Sequence, residues 1–245
     1  MNRSALWILA LVLFALPTFG QRSVMVDAQG DSIDLDKVYP VKHSFVIKTN
    51  PGAIVWGQIP LTAEYRVGFE TVTGVNQSAQ FDLSYFRKSP IVTAVEDSIA
   101  SGSNYDLRLR VRGFRIQTQY RFYLNRMFDG LMGGDPYLAT APNGLFIAPH
   151  VSYAQASFST RNASRFDVYT NVSHLNINLL SGFQLVFGGI SMEAFMGLGW
   201  KQNRWVEYEL GSKRVLSRDE LRDLMFPLYA SPIKLSGGFN FGIAF

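Results

Sequence analysis

The chain has 245 residues, a formal net charge of +4 and no cysteine. That length fits one domain with small attachments, and the missing cysteine excludes disulfide frameworks, thiolate metal sites and a lipoprotein anchor. So mild a charge gives no case for nucleic acid as a partner, and a mean hydropathy of +0.06 is the balance of a transmembrane barrel, in which half of each strand faces lipid.

Residues 1–20 read as a secretory signal peptide. Arg3 supplies the positive start, an unbroken apolar run covers 5–16, and Pro17-Thr18-Phe19-Gly20 offers a cleavage point before Gln21. A membrane anchor helix is the competing reading, but the run falls short of the ~20 residues a span needs. Export is therefore expected. Residues 21–41 are polar and acidic, with Asp27, Asp31, Asp34 and Asp36, and form a periplasmic lead-in with one short strand at 23–26.

From Lys42 to Phe245 the pattern has period two, which predicts strands. The first spans 43–56, with Phe45 and Ile47 opposed to Val46 and Lys48, and a bulge or bend at Pro51-Gly52. After a turn at 58–60, the second (61–70) sets Leu61, Ala63, Tyr65, Val67 and Phe69 outward against Glu64, Arg66 and Glu70. The third (78–87) sets Ala79, Phe81, Leu83 and Tyr85 against Gln80, Asp82 and Ser84. Residues 88–106 read as a loop, with 91–95 as an optional extension of the third strand. The fourth strand, 107–124, begins with Leu107, Leu109 and Val111 alternating with Arg108, Arg110 and Arg112. Its parity changes at Gly113, so a bulge is expected there. A turn-rich connection covers 125–144. The fifth strand (145–158) has Leu145, Ile147, Val151 and Tyr153 outward, His150 and Ser152 inward, and Pro149 on the lipid parity. The sixth (174–187) and seventh (191–201) meet at Gly188-Gly189 in a tight hairpin. Within the loop 202–232, Ser217-Arg218-Asp219-Glu220 has the spacing of a capping box and predicts a short helix with Leu221, Leu224 and Met225 on its apolar edge. The last strand begins at Ile233.

The expectation is an all-β fold, an eight-stranded antiparallel transmembrane β-barrel at 42–245. An even count puts both ends of the barrel on the periplasmic side. The connections at 58–60, 88–106, 159–173 and 202–232 then lie outside. Aromatics fall at two levels, Phe45, Phe69, Phe122, Phe187 and Phe245 below, Tyr85, Tyr153 and Trp200 above, as the two interfaces of a membrane require.

The run Ile47-Lys48-Thr49-Asn50-Pro51, then Ile59-Pro60 and Ala63-Glu64-Tyr65-Arg66, resembles the opening hairpin of a family of uncharacterised outer-membrane barrels of Bacteroidota. Gly144-Leu145-Phe146-Ile147-Ala148-Pro149 and the terminal strand resemble the same family. The resemblance implies a small eight-stranded barrel in the outer membrane of a Gram-negative bacterium, with no catalytic residue to carry over. The terminal strand also resembles the closing strand of bacterial outer-membrane barrels, which implies that Phe241, Ile243 and Phe245 form the insertion signal read by the barrel-assembly machinery.

Lys48, Glu64, Arg66, Glu70, Asp82, Arg115, Arg121, Glu193 and Lys201 all carry the inward parity. Eight strands enclose a space that side chains can fill, so these charges read either as an ion-pair network that plugs the lumen or as a narrow gated path. Arg108, Arg110 and Arg112 read either as ion-pair partners of Glu96, Asp97 and Asp106 or as a basic edge for lipopolysaccharide phosphates or an extracellular protein. His150 with Ser152 invites a hydrolase reading, but nucleophilic catalysis needs a base and an orienting acid in reach, and an inward pair is hard for lipid to approach. Three dispersed histidines give no metal site, and no cofactor is implied. The function expected is non-enzymatic, a structural or interaction barrel, with a narrow channel and a lipid-modifying enzyme as alternatives.

Overall fold

The computed structural model describes residues 24–26, 32–34, 43–55, 57, 59, 61–100, 108–124, 140–161, 168–209, 212–217, 220 and 231–245. The expected signal peptide, the expected connection over 125–139 and the helix expected after Glu220 lie outside them. In the lead-in, β1 (Val24–Val26) pairs antiparallel with β2 (Ser32–Asp34), where the sequence suggests a single strand.

The barrel strands are β3 (Phe45–Thr49), β4 (Thr62–Gly74), β5 (Gln77–Lys88), β6 (Arg108–Tyr123), β7 (Gly144–Arg161), β8 (Val168–Phe187), β9 (Ile190–Glu209) and, after the short β10 (Ser212–Val215), β11 (Ile233–Ala244). Each pairs with the next, β9 pairs with β11, and β11 closes on β3, so the sheet is a closed eight-stranded antiparallel barrel. β10 adds only to the upper part of β9. The fold class expected from the sequence is the one observed. Gly188 and Gly189, at φ +58° and +84°, make the tight turn that pairs Phe187 with Ile190.

Side chains alternate as a lipid-facing barrel demands. Tyr65, Val67 and Phe69 of β4, Leu179 and Phe183 of β8, Met196 and Leu198 of β9, and Phe239, Phe241 and Ile243 of β11 are exposed. Their neighbours of the other parity fill the interior. From Phe187 to Ile177 the outward face of β8 is apolar apart from Ser181, and at roughly 3.3 Å per residue and a tilt of ~40° this is about 25 Å of height. Ala63 is the exception on the outward parity of β4; it is buried on the stretch against which the first helix packs.

Four expectations need correction. The first strand stops at Thr49, because Asn50 Oδ1 accepts a hydrogen bond from the Ala53 amide at 3.0 Å and caps helix α1 (Gly52–Val55), with Pro51 at its first position. The loop after the third strand is instead largely helix α2 (Pro90–Ala100). Ser89 starts it, its Oγ accepting from the Ile91 amide at 3.3 Å and its carbonyl from the Thr93 amide at 3.1 Å. No bulge occurs at Gly113: the β5–β6 ladder runs unbroken to Phe86 opposite Gly113, and the β6–β7 ladder runs unbroken through the same residue. Finally, the outer loops expected at 159–173 and 202–232 are in part strand, since β8 and β9 stay paired up to Tyr169 opposite Tyr208. These are eight residues beyond Trp200, about 27 Å along the strand, so a sheet of β6 to β10 projects above the apolar belt.

That projection explains the parity change at Gly113. Below it the outward side of β6 is apolar (Phe114, Phe122). Above it Arg110 and Arg112 point outward while Val111 is buried. The strand does not slip; its surroundings change, from lipid outside and polar lumen inside to water outside and an apolar core inside. The same inversion puts Trp205 and Val172 on the inner side of the projecting sheet, with Phe158 and Leu216 packed against them.

Candidate functional site

The lumen is filled in layers. At the lower end Tyr123, Ala141, Phe146, Ala148 and Leu180 form one apolar cluster, and Val46, Val186 and Ala244 another. Near the upper end Ile59, from the segment between α1 and β4, is buried with Phe86, Ala154 and Ala156. Between these caps lies the polar layer.

Its lower half is built around Lys48, Arg121, Glu70 and Glu193. Lys48 Nζ lies 2.5 Å from Glu70 Oε2 and donates to Glu193 Oε2 and Gln184 Oε1, each at 2.6 Å. Arg121 grips Glu193 with two parallel hydrogen bonds of 2.9 Å, the arrangement that suits guanidinium and carboxylate. Its guanidinium carbon lies 4.4 Å from the Phe146 ring centroid. Glu70 also accepts from Tyr123 Oη at 2.7 Å, from Gln184 Nε2 at 3.1 Å and from Ser78 Oγ. Asn240 donates to Glu193 Oε1 at 3.0 Å, so β11 joins the network.

The upper half centres on Glu64. Arg66 donates to its Oε1 at 2.7 Å, Arg115 to its Oε2 at 2.6 Å and Ser84 to Oε1 at 2.8 Å. Asp82 accepts from Gln80 Nε2 at 2.7 Å. Gly68 lies directly across the ladder from Asp82, and a Cβ there would stand 2.1 Å from Asp82 Oδ1, so the missing side chain makes room for the carboxylate.

Lys48, Arg66, Arg115 and Arg121 face Glu64, Glu70, Asp82 and Glu193, and all are buried. The signs balance, as they must where an uncompensated charge would be very costly. A cavity of about 20 Å³ remains between Arg66, Asp82, His150 and Asn240, room for about one water molecule. Eight of the nine charged residues singled out from parity therefore come together. Lys201 is buried higher up, opposite Asn176. The neutral members Ser78, Tyr123, Gln184 and Asn240 were not singled out from the sequence; inward parity marks all four, but only Tyr123, two residues from Arg121, has a charged inward neighbour adjacent on its own strand.

His150 and Ser152 are both buried in the lumen but are engaged separately. His150 Nδ1 meets Asn178 Nδ2 at 3.0 Å and its Nε2 meets Gln117 Oε1 at 3.3 Å, while Ser152 Oγ accepts from Asn176 at 3.0 Å. On the outer wall, Arg110 and Arg112 are exposed; the Arg108 side chain and Asp106 lie outside the described residues. Among the described residues Glu96 pairs with neither Arg110 nor Arg112. It lies 2.5 Å from Lys88 Nζ and accepts the Leu109 amide at 2.9 Å. At the far end of β10 the capping box forms as the spacing foretold: Ser217 N donates to Glu220 Oε2 at 2.7 Å and Glu220 N to Ser217 Oγ at 3.3 Å.

No protein-family model matches the sequence, and no curated protein matches it. Among solved structures the chain is similar to a major outer membrane protein from Thermus thermophilus. The two share 8% identity with a TM-score of 0.44, over 83% of this chain and 100% of that one. It is also similar to the translocator domain of the autotransporter NalP from Neisseria meningitidis, with 11% identity and a TM-score of 0.36, over 86% of this chain and 62% of that one.

Proposed function

We propose that this chain is a small outer-membrane barrel of a Gram-negative bacterium, exported through a cleaved signal peptide, and that it acts as a non-enzymatic structural or interaction protein with a closed lumen. One observation carries the reading: apolar side chains are exposed around the wall while nine charged side chains, eight of them in one balanced network, are buried inside it. This is the reverse of a water-soluble domain and the arrangement a bilayer demands. The interlocked network between two apolar caps supports a plug over a conducting path. The similarity of the opening hairpin and the closing strand to Bacteroidota barrels supports membership of that group and insertion by the barrel-assembly machinery through Phe241, Ile243 and Phe245. The partners follow from the exposed surfaces: outer-membrane lipid and lipopolysaccharide around the belt, and an envelope or extracellular protein on the projecting sheet.

The test is to refold the mature chain into lipid vesicles. A folded barrel migrates differently boiled and unboiled and shows sheet circular dichroism. In planar bilayers it gives no discrete openings. A protein that stays soluble without lipid or detergent refutes the membrane reading, and regular conductance steps refute the closed lumen.

A further inference from the structure

At the upper edge of the belt β5 parts from β6 while staying paired with β4 up to Lys88. Its last partner on β6 is Gly113, opposite Phe86, whereas β6 continues up to Arg108 paired only with β7. The chain turns instead into α2. Between α2 and the freed flank of β6 lies an open notch of about 950 Å³, lined by Arg87, Lys88, Thr93, Arg110, Arg112 and Tyr169 among others.

We propose that this notch binds the phosphate-bearing headgroup of an anionic outer-leaflet glycolipid, whose acyl chains lie on the apolar stripe of α2. The inference rests on the membrane reading above and goes further by naming a ligand class and its residues. Arg87, Arg110 and Arg112 are exposed on the outward face, and among the described residues none has a carboxylate partner. Lys88 is already neutralised by Glu96, so the described lining of the notch carries an excess of guanidinium, the group best shaped for phosphate oxygens.

Height supports the assignment. Tyr85 and Phe114 pair across the ladder, Tyr153 lies 6.3 Å from Phe114, and Trp200 continues the girdle. Arg87 and Arg112 each stand two residues above that pair on the same face, about 7 Å along the strand, where headgroup phosphates meet an aromatic girdle. Arg87 also lies over the Tyr85 ring at 5.6 Å.

The apolar half is independent of the charged one. Ile91, Val95 and Ile99 recur every four residues along α2 and are all exposed, as are Leu61 and Val55 beside it. A cavity of about 250 Å³ lies between Ile91, Val95 and Leu61. Leu61 holds φ at +65°, a conformation costly for a bulky side chain, and half of its surface stays exposed. Strain that displays a leucine beside a lipid-facing belt is explained if the outer leaflet receives it. A strand-adding peptide fits less well, because the Glu96 carboxylate already takes the Leu109 amide on the free flank of β6. By the two-residue period Val111 turns its amide to the same side, where a phosphate oxygen can accept it.

The probes are bisphosphorylated lipid A, the same lipid with its phosphates removed, inorganic phosphate and an acidic extended peptide, each offered to the refolded full chain in detergent micelles and read by native mass spectrometry. Wild type should retain the bisphosphorylated lipid. Combined Arg87→Gln, Arg110→Gln and Arg112→Gln should weaken retention on the order of tenfold, from three partly screened contacts, and so should removing the phosphates. Arg204→Gln, an exposed arginine at similar height outside the notch, should change nothing. Ile91→Ser with Val95→Ser and Ile99→Ser should weaken lipid retention as well. Unchanged retention in either triple variant, displacement of the lipid by millimolar inorganic phosphate, or tighter capture of the peptide overturns the proposal. Heat-modifiable mobility of every variant separates this from misfolding, and a wild-type chain that fails to form a barrel at all counts against the membrane reading itself.

Discussion

Glu193→Gln tests the balance of the buried layer. The substitution keeps the shape of the side chain and removes one of the two carboxylates shared by Lys48 and Arg121. Each of the lost attractions, at 2.6 Å and 2.9 Å, is worth about 6 kcal/mol at an effective dielectric of ~20. Most of that is offset because Glu193 no longer has to be desolvated and no longer repels Glu70. What remains is the cost of one unmatched buried cation, about 3–5 kcal/mol. The assay is guanidinium unfolding of the refolded barrel followed by tryptophan fluorescence and gel mobility. At a slope of about 4 kcal/mol/M, the midpoint should fall by about 1 M. Adding Lys48→Met removes the unmatched cation, so the double variant should be more stable than Glu193→Gln alone, a non-additivity expected only of coupled groups. A loss under about 1 kcal/mol together with strict additivity would refute the reasoning, since surface pairs behave that way.

Gly242→Ala should prevent closure: its Cβ would stand 2.3 Å from the Ile47 carbonyl oxygen, and backbone cannot yield as a side chain can, so the heat-modifiable band should be lost. Gly68→Ala meets the Asp82 carboxylate instead and should still give a barrel, with a lower guanidinium midpoint. Trp205→Ala removes the centre of the projecting core, a loss of about 3–5 kcal/mol to that core. External protease should then trim the upper parts of β8 and β9 while the barrel band survives. The Ser217 amide and hydroxyl hold the Glu220 carboxyl below its ordinary range. That interaction is therefore present above the usual glutamate pKa and fades as pH falls through the lowered one. Carboxylate NMR should show the depressed titration, and Ser217→Ala should return it toward normal.

Strand parity is readable because lipid and lumen impose opposite demands on alternate residues, and those demands hold all along the belt. Reading fails where the solvent changes. Val111 and Trp205 turn inward because water, not lipid, lies outside at their height, and a two-residue period cannot report which solvent that is. The helices escape for another reason. Asn50-Pro51 and Ser89-Pro90 are helix starts written with turn-forming residues, and in the sequence both look like turns. The charged interior is legible as a set of positions, since parity names them. Which acid meets which base is not: Lys48 joins Glu193 from strands far apart in sequence, and only the closed ring makes them neighbours.

The join between β11 and β3 is short, running only from Phe241 opposite Thr49 to Ala244 opposite Val46, while β11 zips to β9 along nearly its whole length. Lys48 sits in that join, opposite Gly242. Glu70, on the strand that pairs with β3, can meet the Lys48 ammonium within that hairpin, but Glu193 comes within reach only when the two terminal strands meet. Sealing the wall and supplying the second carboxylate are thus a single event. A half-finished cylinder forgoes that ion pair, so a seam of four paired residues is fastened from inside as well as along its backbone.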